Sequence, residues 1–551
     1  MGDQPSRWWK SAVVYQVYPR SFCDASGDGV GDLEGIRRHL DHLAWLGVDA
    51  MWLSPFYPSP MADFGYDVAD HCDVDPLFGT IEEFDALVAQ AHALGIKVLV
   101  DFVPNHTSDQ HPWFVSARSS RDSPRRGWYW WRDDRPDEAG GSGPPGSEGR
   151  LPNNWRSAFA GAGRSSLPPA WTWDERTGQW YLHQFLAEQP DLNWGNPEVA
   201  EAMAEVLRFW MRRGVDGFRV DAIHCLGKDP GLPDLPSHLE ALPRSATNDH
   251  PSVHPVVGAL RQVVDGWPEP PARMMVGEVF LPGAEQVVAY YGTPDAPELH
   301  LAFNFSPTFA PWDPVEWRRR VDEVETLMGA AHTWPTWFLS NHDRPRHRSR
   351  YGSDARARAA AVLLLTLRGT PFVYQGEELG LEDAPIPAGG RVDPGGRDGC
   401  RAPIPWDGSG GHGWAGGARP WLPWPPGAGG GRSVAAQRAE PFSMLHLYRR
   451  LIAARRSSPA LSTGSFAWRP APGGVLAWAR RAGSDERFVA VNFADRPARV
   501  VLPAGTWAAE VGTGAGAGRG AATFGGAATF EGAVDLAGDE ALVLRPAGPT
   551  R

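Results

Sequence analysis

An α/β fold, a (β/α)8 barrel carrying an inserted subdomain and a C-terminal antiparallel β domain, is predicted by three observations on this 551-residue chain. Short apolar runs recur along it, most are followed by an amphipathic helical pattern, and near the C-terminus the rhythm changes to short alternating runs. The runs lie at 13–18, 50–54, 96–103, 217–220, 274–279, 299–305, 336–339 and 371–374, and eight β–α units are what such a barrel requires. Helical patterns follow at 32–46, 81–94, 197–213, 314–330 and 354–367. In the third of these Val199, Met203, Val206, Leu207 and Trp210 share one face.

Two breaks in the rhythm set the domain organisation. After the third run the chain becomes rich in Trp, Gly, Pro and Arg, where a βα connection normally spans a few residues. Residues 105–181 are therefore assigned to a subdomain inserted over the C-terminal face, the face on which barrel enzymes place their sites. The barrel takes 1–104 and 182–460. After a helical pattern at 443–455, alternating runs at 475–479, 488–492, 500–502 and 541–544 mark a β domain over 461–551.

Composition narrows the function classes. Hydrophobic residues at 42% and charged residues at 21% describe a globular chain rather than a disordered one. The longest apolar run, 359–367, is about half of what a membrane-spanning helix needs, so no membrane partner is expected. A formal charge of −12 disfavours a nucleic-acid partner held through phosphates. The Arg-rich stretch 344–350 is the local exception, read as a solvated loop flanking a site rather than a polyanion site. The first twenty residues lack a basic leader and an apolar core, which predicts a cytoplasmic protein. Cys23, Cys72, Cys225 and Cys400 show no metal or CxxC spacing and are expected to be free thiols.

Several ionisable residues fall at the C-terminal ends of barrel runs and so face one mouth: Asp101, His106, Arg219, Asp221, Glu278, His342 and Asp343. A single carboxylate at a strand end is more often an ion pair or a cap. Three on separate strands, Asp221, Glu278 and Asp343, fit a working site better. Arg219 and Asp221 are two apart, project together, and predict that the cation keeps Asp221 ionised. Glu278, on the next strand and close to that charge, is expected to be pushed upward and to carry a proton. One ionised and one protonated carboxyl about 5 Å apart is the arrangement of a retaining glycosidase.

The segments DFVPNH (101–106), QPDLNW (189–194), GFRVDA (217–222), GEV (277–279) and SNHD (340–343), supported by GYD (65–67) and QGEELG (375–380), occur in this order. Together they resemble the α-amylase family of glycoside hydrolases, family 13, over nearly the whole chain, and QPDLN points to its α-glucosidase and oligo-1,6-glucosidase branch. The resemblance implies Asp221 as nucleophile, Glu278 as general acid/base and Asp343 as transition-state stabiliser. It implies sugar contacts from His106, Arg219, His342 and Phe159, a pocket closed at its non-reducing end by Asp63 and Arg401, and an aromatic platform from Tyr66. From the residues alone, without the barrel context, Asp63 reads rather as a turn cap and Tyr66 as packing.

The segment 24–32 spaces oxygens as a calcium loop does, without the acidic twelfth position of an EF-hand. It resembles the family's first-loop metal site, which implies a structural Ca2+ or Mg2+ on Asp24, Ser26, Asp28, Val30 and Asp32; the alternative is an acidic turn. No organic cofactor is implied. The function expected from the resemblance is a retaining, exo-acting α-glucosidase that takes small α-glucosides and transfers glucose to sugar acceptors. An α-1,4 preference is implied by Ala222, because the resemblance ties Val at that position to α-1,6 linkages. The alternatives are an oligo-1,6-glucosidase and a disaccharide isomerase of the trehalose synthase or sucrose isomerase type. The lengthened approach 164–173 leaves acceptor contacts unassigned.

Overall fold

Register places the site before any side chain is considered. The computed structural model of the chain describes residues 7–137, 140–159, 167–236, 247–514 and 528–547. In chain order its strands are β1 (Val14–Val17), β2 (Ala50–Leu53), β3 (Lys97–Phe102), β4 (Trp131–Arg132), β5 (Trp171–Asp174), β6 (Gln179–Leu182), β7 (Gly217–Val220), β8 (Met274–Gly277), β9 (Leu301–Ala302), β10 (Thr336–Trp337) and β11 (Thr370–Tyr374). Eight of them form one parallel sheet in the order β10-β11-β1-β2-β3-β7-β8-β9, so each of the eight sequence runs contributes its strand. Between β9 and β10 the ladder gives way to one side chain: the Thr336 hydroxyl donates to Ala302 O at 2.7 Å and accepts from Asn304 N at 3.1 Å.

Phe102 pairs with Val220 and Val220 with Gly277. Asp221 N then donates to Phe102 O and Glu278 N to Val220 O, both at 2.8 Å, so the two carboxylates leave the sheet side by side. Strands β1, β2, β7 and β8 are buried at every position, as a parallel sheet covered on both faces demands.

The surrounding helices begin where the sequence caps them. Pro197–Arg212 opens with Pro197 in its first turn and Asn196 Oδ1 accepting from Glu198 N, and it buries the apolar face read from the sequence. The single helix expected at 32–46 is two, Leu33–Arg38 and Leu40–Leu46. The break falls at His39, whose ring stacks on Trp406 with centroids 3.6 Å apart.

Between β3 and β7 the strands β4, β6 and β5 form a small antiparallel sheet, with Trp130, Trp155, Trp171 and Trp180 in its own apolar cluster. Toward the C-terminus β12 (Ser465–Arg469), β13 (Val475–Ala482), β14 (Asp485–Asn492), β15 (Ala498–Gly512), β16 (Thr529–Leu536) and β17 (Ala541–Pro546) form a six-stranded antiparallel sheet in the order β12-β13-β14-β17-β15-β16. The two strands absent from the sequence reading, β12 and β16, are its edges and are half exposed, so their apolar alternation is weak. The four cysteines are unpaired. Among the described residues no helix is long and apolar enough to cross a membrane.

Candidate active site

A cavity of about 380 Å³ opens at the C-terminal ends of the barrel strands. Seven residues singled out from the sequence reach its wall: Asp63, Tyr66, His106, Phe159, Asp221, Glu278 and Asp343. Arg219, His342 and Arg401 are fully buried directly behind that wall, and Arg219 makes the expected contact with Asp221.

Arg219 organises the floor. Its Nη1 donates to Asp221 Oδ1 at 2.7 Å and to Asp101 Oδ1 at 2.6 Å, and its Nη2 donates to Glu278 Oε2 at 2.5 Å. The guanidinium lies over the faces of Trp52 and Tyr66. Three carboxylates thus share one cation. Burial pushes the Asp221 carboxyl well upward; Arg219 opposes this, and Glu278 and Asp101 reinforce it. The sequence reading of Asp221 as simply held ionised by Arg219 is corrected here. It counted the cation but not Asp101, whose own carboxyl burial raises to about 6 against the pull of Arg219. Asp221 and Glu278 are close enough to hydrogen-bond, and that bond adds to the upward push on Asp221.

The chain turns sharply after Asp221. Ala222 sits in the left-handed region at φ 40° and ψ 37°, an uncommon conformation for a residue with a side chain. The turn aims the Ala222 N–H at Glu278 Oε2, 3.2 Å away.

At the inner end the groups are ionic and closely bonded. Arg397 donates to Asp63 Oδ1 at 2.5 Å, to Asp343 Oδ1 at 2.9 Å and to Asp393, and its guanidinium lies over the Phe159 ring. Arg401 lies behind it, donating to His342 O, Asp393 and Asp343. The pocket-closing arginine is therefore Arg397, which the sequence reading missed. Both arginines belong to the GRDGCR segment, one helical turn apart, and their spacing alone does not say which faces the cavity. Burial works against ionisation of Asp343. The contact with His342 and the charges of Arg397, Arg401 and Arg219 outweigh it and hold the carboxyl well below the usual range.

His342 is a support. Its ring lies flat between Tyr18 and Tyr66, Nδ1 accepts from Gln16 Nε2 at 2.8 Å, and Nε2 meets the Tyr66 hydroxyl at 2.6 Å and Asp343 at 3.1 Å. Burial keeps it neutral. Tyr66 is thus fixed as a platform from both ends. His106 reaches the wall as a neutral ring, its pKa lowered by burial to about 3, with Nε2 donating to Tyr66 O.

The outer wall is built differently. Ala222, His224, Cys225, Thr247, Asn248, Phe280, Phe305 and Arg344 line it, none of them a carboxylate. Residues 160–166 and 237–246, which adjoin the lining residues Phe159, Leu167 and Thr247 in the chain, lie outside the described residues, and so does the first part of the 164–173 approach.

The 24–32 loop offers only oxygen donors, the right chemistry for a hard cation. Its carboxylates are also engaged with backbone N–H groups. Asp24 spends its oxygens on Gly27 N and Gly29 N, and Asp32 spends its own on Ala25 N, Ser26 N and Gly35 N while capping the helix Leu33–Arg38. Asp28 accepts from Val30 N. Among the described residues no three His, Cys, Asp or Glu side chains converge as metal ligands. The loop is a hydrogen-bonded turn and helix cap.

Comparison with known proteins agrees with this geometry. The family model "Alpha amylase, catalytic domain" matches residues 16–464. The chain is 41% identical over 533 residues to a probable alpha-glucosidase of Rhizobium meliloti (strain 1021), covering 91% of this chain and 92% of that one. It is also 41% identical over 403 residues to an oligo-1,6-glucosidase of Heyndrickxia coagulans, covering 69% and 68%. The crystal structure of an isomaltulose synthase from Protaminobacter rubrum superposes with a TM-score of 0.86 at 32% identity, covering 99% of this chain and 100% of the other.

Proposed function

The chain belongs to the α-amylase family of glycoside hydrolases, and from that premise we propose that it is a retaining, exo-acting α-glucosidase of short α-glucosides. The observation that carries this reading is the pairing of Asp221 and Glu278 on one guanidinium, in a pocket blocked at its inner end by Asp63, Arg397 and Asp343. A terminal glucose fits such a blind end; the middle of a chain does not.

In this reading Glu278 acts as the acid and Asp221 as the anion once substrate is bound. Glu278 protonates the glycosidic oxygen as the bond from the anomeric carbon breaks, and Asp221 forms an ester with that carbon. Arg219, already bonded to both, stabilises Asp221 as it becomes the only anion of the pair. Asp343, ionised throughout, faces the cationic transition state and contributes electrostatic stabilisation. The Glu278 carboxylate then takes a proton from a water molecule that opens the ester, releasing glucose with its original configuration. A sugar hydroxyl in place of that water gives glucosyl transfer.

Ala222 leaves room beside Asp221 for a secondary-alcohol linkage, which supports an α-1,4 preference over the α-1,6 specificity named for the Heyndrickxia coagulans relative. The likeness to the isomaltulose synthase supports a second reading, in which the released glucose is joined again to the same acceptor. One experiment separates the readings: chromatography of products from maltose, isomaltose, trehalose, sucrose and maltotriose, with early-time NMR of the released glucose. We expect α-glucose, fastest from maltose. A rearranged disaccharide accumulating from the start establishes the isomerase, and β-glucose as the first product overturns retention.

A further inference from the structure

Beneath the pocket floor an ammonium group sits where solvent does not reach. Lys228 Nζ donates to Cys225 O at 2.8 Å and to Asn105 Oδ1 at 3.1 Å, and lies 3.1 Å from Asp191 Oδ2. The side chains of Lys228 and Asp191 have no exposed surface. An ammonium carries three donors, and here it meets three acceptors. They come from three different connections: Asn105 follows β3, Asp191 follows β6, and Cys225 belongs to the turn after β7.

Each acceptor is one bond from the cavity wall. Asn105 Nδ2 donates to His106 Nδ1 at 3.2 Å, and Asp191 Oδ1 accepts from the backbone N–H of Gln184 at 3.1 Å. Cys225 N donates to Ala222 O at 2.8 Å, closing the turn whose Ala222 N–H reaches Glu278 Oε2. Desolvating a lysine is expensive, and an apolar side chain of similar length would fill the space without that cost. What an apolar side chain does not do is hold three oxygens from three connections at one point.

We propose that Lys228 is a positioning residue, a built-in cation that locks these three connections together and so sets the Ala222 N–H that orients the Glu278 carboxyl. The proposal rests on the reading of Glu278 as the acid. It separates proton delivery from glucose binding, because the inner end is held by the bonds of Asp63, Arg397 and Asp343, none of which involves Lys228.

The test compares the wild-type enzyme with Lys228→Met on maltose and on 4-nitrophenyl α-glucoside, whose leaving group needs little protonation. We expect kcat on maltose to fall about 100-fold and on the aryl glucoside less than about 10-fold, with KM for both within about threefold, the scale of a small displacement at a reacting group. A purely structural lysine lowers both rates equally, in proportion to the folded fraction, and that result overturns the proposal. So does a variant within about threefold of wild type on maltose.

Lys228→Ala prepared in ethylammonium chloride supplies a second readout. Loss of maltose activity on dialysis with an unchanged circular dichroism spectrum, and recovery on adding ethylammonium but not tetramethylammonium, is the expected result. Unfolding on dialysis assigns the lysine to stability alone and overturns the proposal. A wild-type enzyme inactive on both substrates would instead defeat the functional reading itself.

Discussion

The two ends of the pocket are held by different physics. The inner end is a wall of charges bonded to one another: Asp63, Asp343 and Asp393 around Arg397, with Arg401, His342 and Tyr66 packed behind. Moving any one of the charged groups leaves a buried charge short of a partner. The outer wall is mostly amide, hydroxyl, thiol and ring, with Arg344 spread over Phe280 and Phe309, and its contacts are of a kind that is exchanged at modest cost. On the proposed function the inner end holds the terminal glucose, whereas the outer end is the side where linkage and acceptor would be chosen.

Substitutions at the floor between the two ends should have the largest effects. On the proposed mechanism Asp221→Asn removes the group that would form the ester while keeping its shape, and the rate on any α-glucoside should fall by at least about 10³-fold with the melting temperature little changed. Steady-state kinetics on protein free of wild-type contamination checks this; residual activity above about 1% would remove Asp221 as nucleophile. Glu278→Gln should cost about 10²–10⁴-fold on maltose and distinctly less on an aryl glucoside.

At the inner end the choice between the two arginines is open to direct measurement. Arg397→Ala removes a side chain that lines the cavity and should lower kcat/KM for maltose by about 100-fold, mainly through KM, as loss of a charge-assisted contact to the proposed substrate implies. Arg401→Ala takes the guanidinium from the His342 carbonyl and one of the two arginines that bond Asp393 in the interior, so its first expression should be a lower melting temperature. The reverse pattern would restore Arg401 as the pocket-closing residue.

Much of this is legible in the sequence because a barrel strand announces itself twice, by its own apolar run and by the helical pattern that most such runs lead into. All eight strands are visible that way, and Asp221, Glu278 and Asp343 stand out because a strand end fixes where a side chain faces. The features that escape lie where backbone period says nothing. Arg397 and Arg401 stand in a long connection after the last strand, and only folding decides which is turned outward. Asp101 is visible as a strand-end acid, but its effect on Asp221 requires the register that pairs Asp101 with Arg219. The oxygens of the 24–32 loop have the spacing of a metal site, yet amide capping uses the same spacing.

That register yields a pH prediction. Asp101 raises the Asp221 carboxyl, so Asp101→Asn removes an upward influence and Asp221 should lose its proton at lower pH. The acid limb of the kcat/KM profile, set by ionisation of the proposed nucleophile, should therefore move to lower pH, by about one unit for the loss of one neighbouring charge. A limb that stays in place, or moves upward, would show that Asp101 is too well neutralised by Arg219 to be felt.

The smallest effect is expected at Ala222, where floor and outer wall meet. A valine adds two methyl groups beside Asp221 and narrows the acceptor side. Differences of that size in a pocket are worth about 1–3 kcal/mol, enough to move the ratio of kcat/KM for isomaltose over maltose about tenfold upward. The backbone adds a second consequence. At φ 40° a β-branched side chain is strained, so Ala222→Val should also lower stability, by about 1–3 kcal/mol. Strain alone would shift the Ala222 N–H that touches Glu278 and slow both substrates together. Ala222→Gly separates the two influences, since glycine adopts this conformation freely and opens the acceptor side further. If steric room sets linkage, glycine should favour maltose as strongly as alanine does while valine moves toward isomaltose. If the valine enzyme slows equally on both sugars and the glycine enzyme is unchanged, position 222 governs the acid's orientation rather than linkage, and the choice of acceptor belongs to the outer wall.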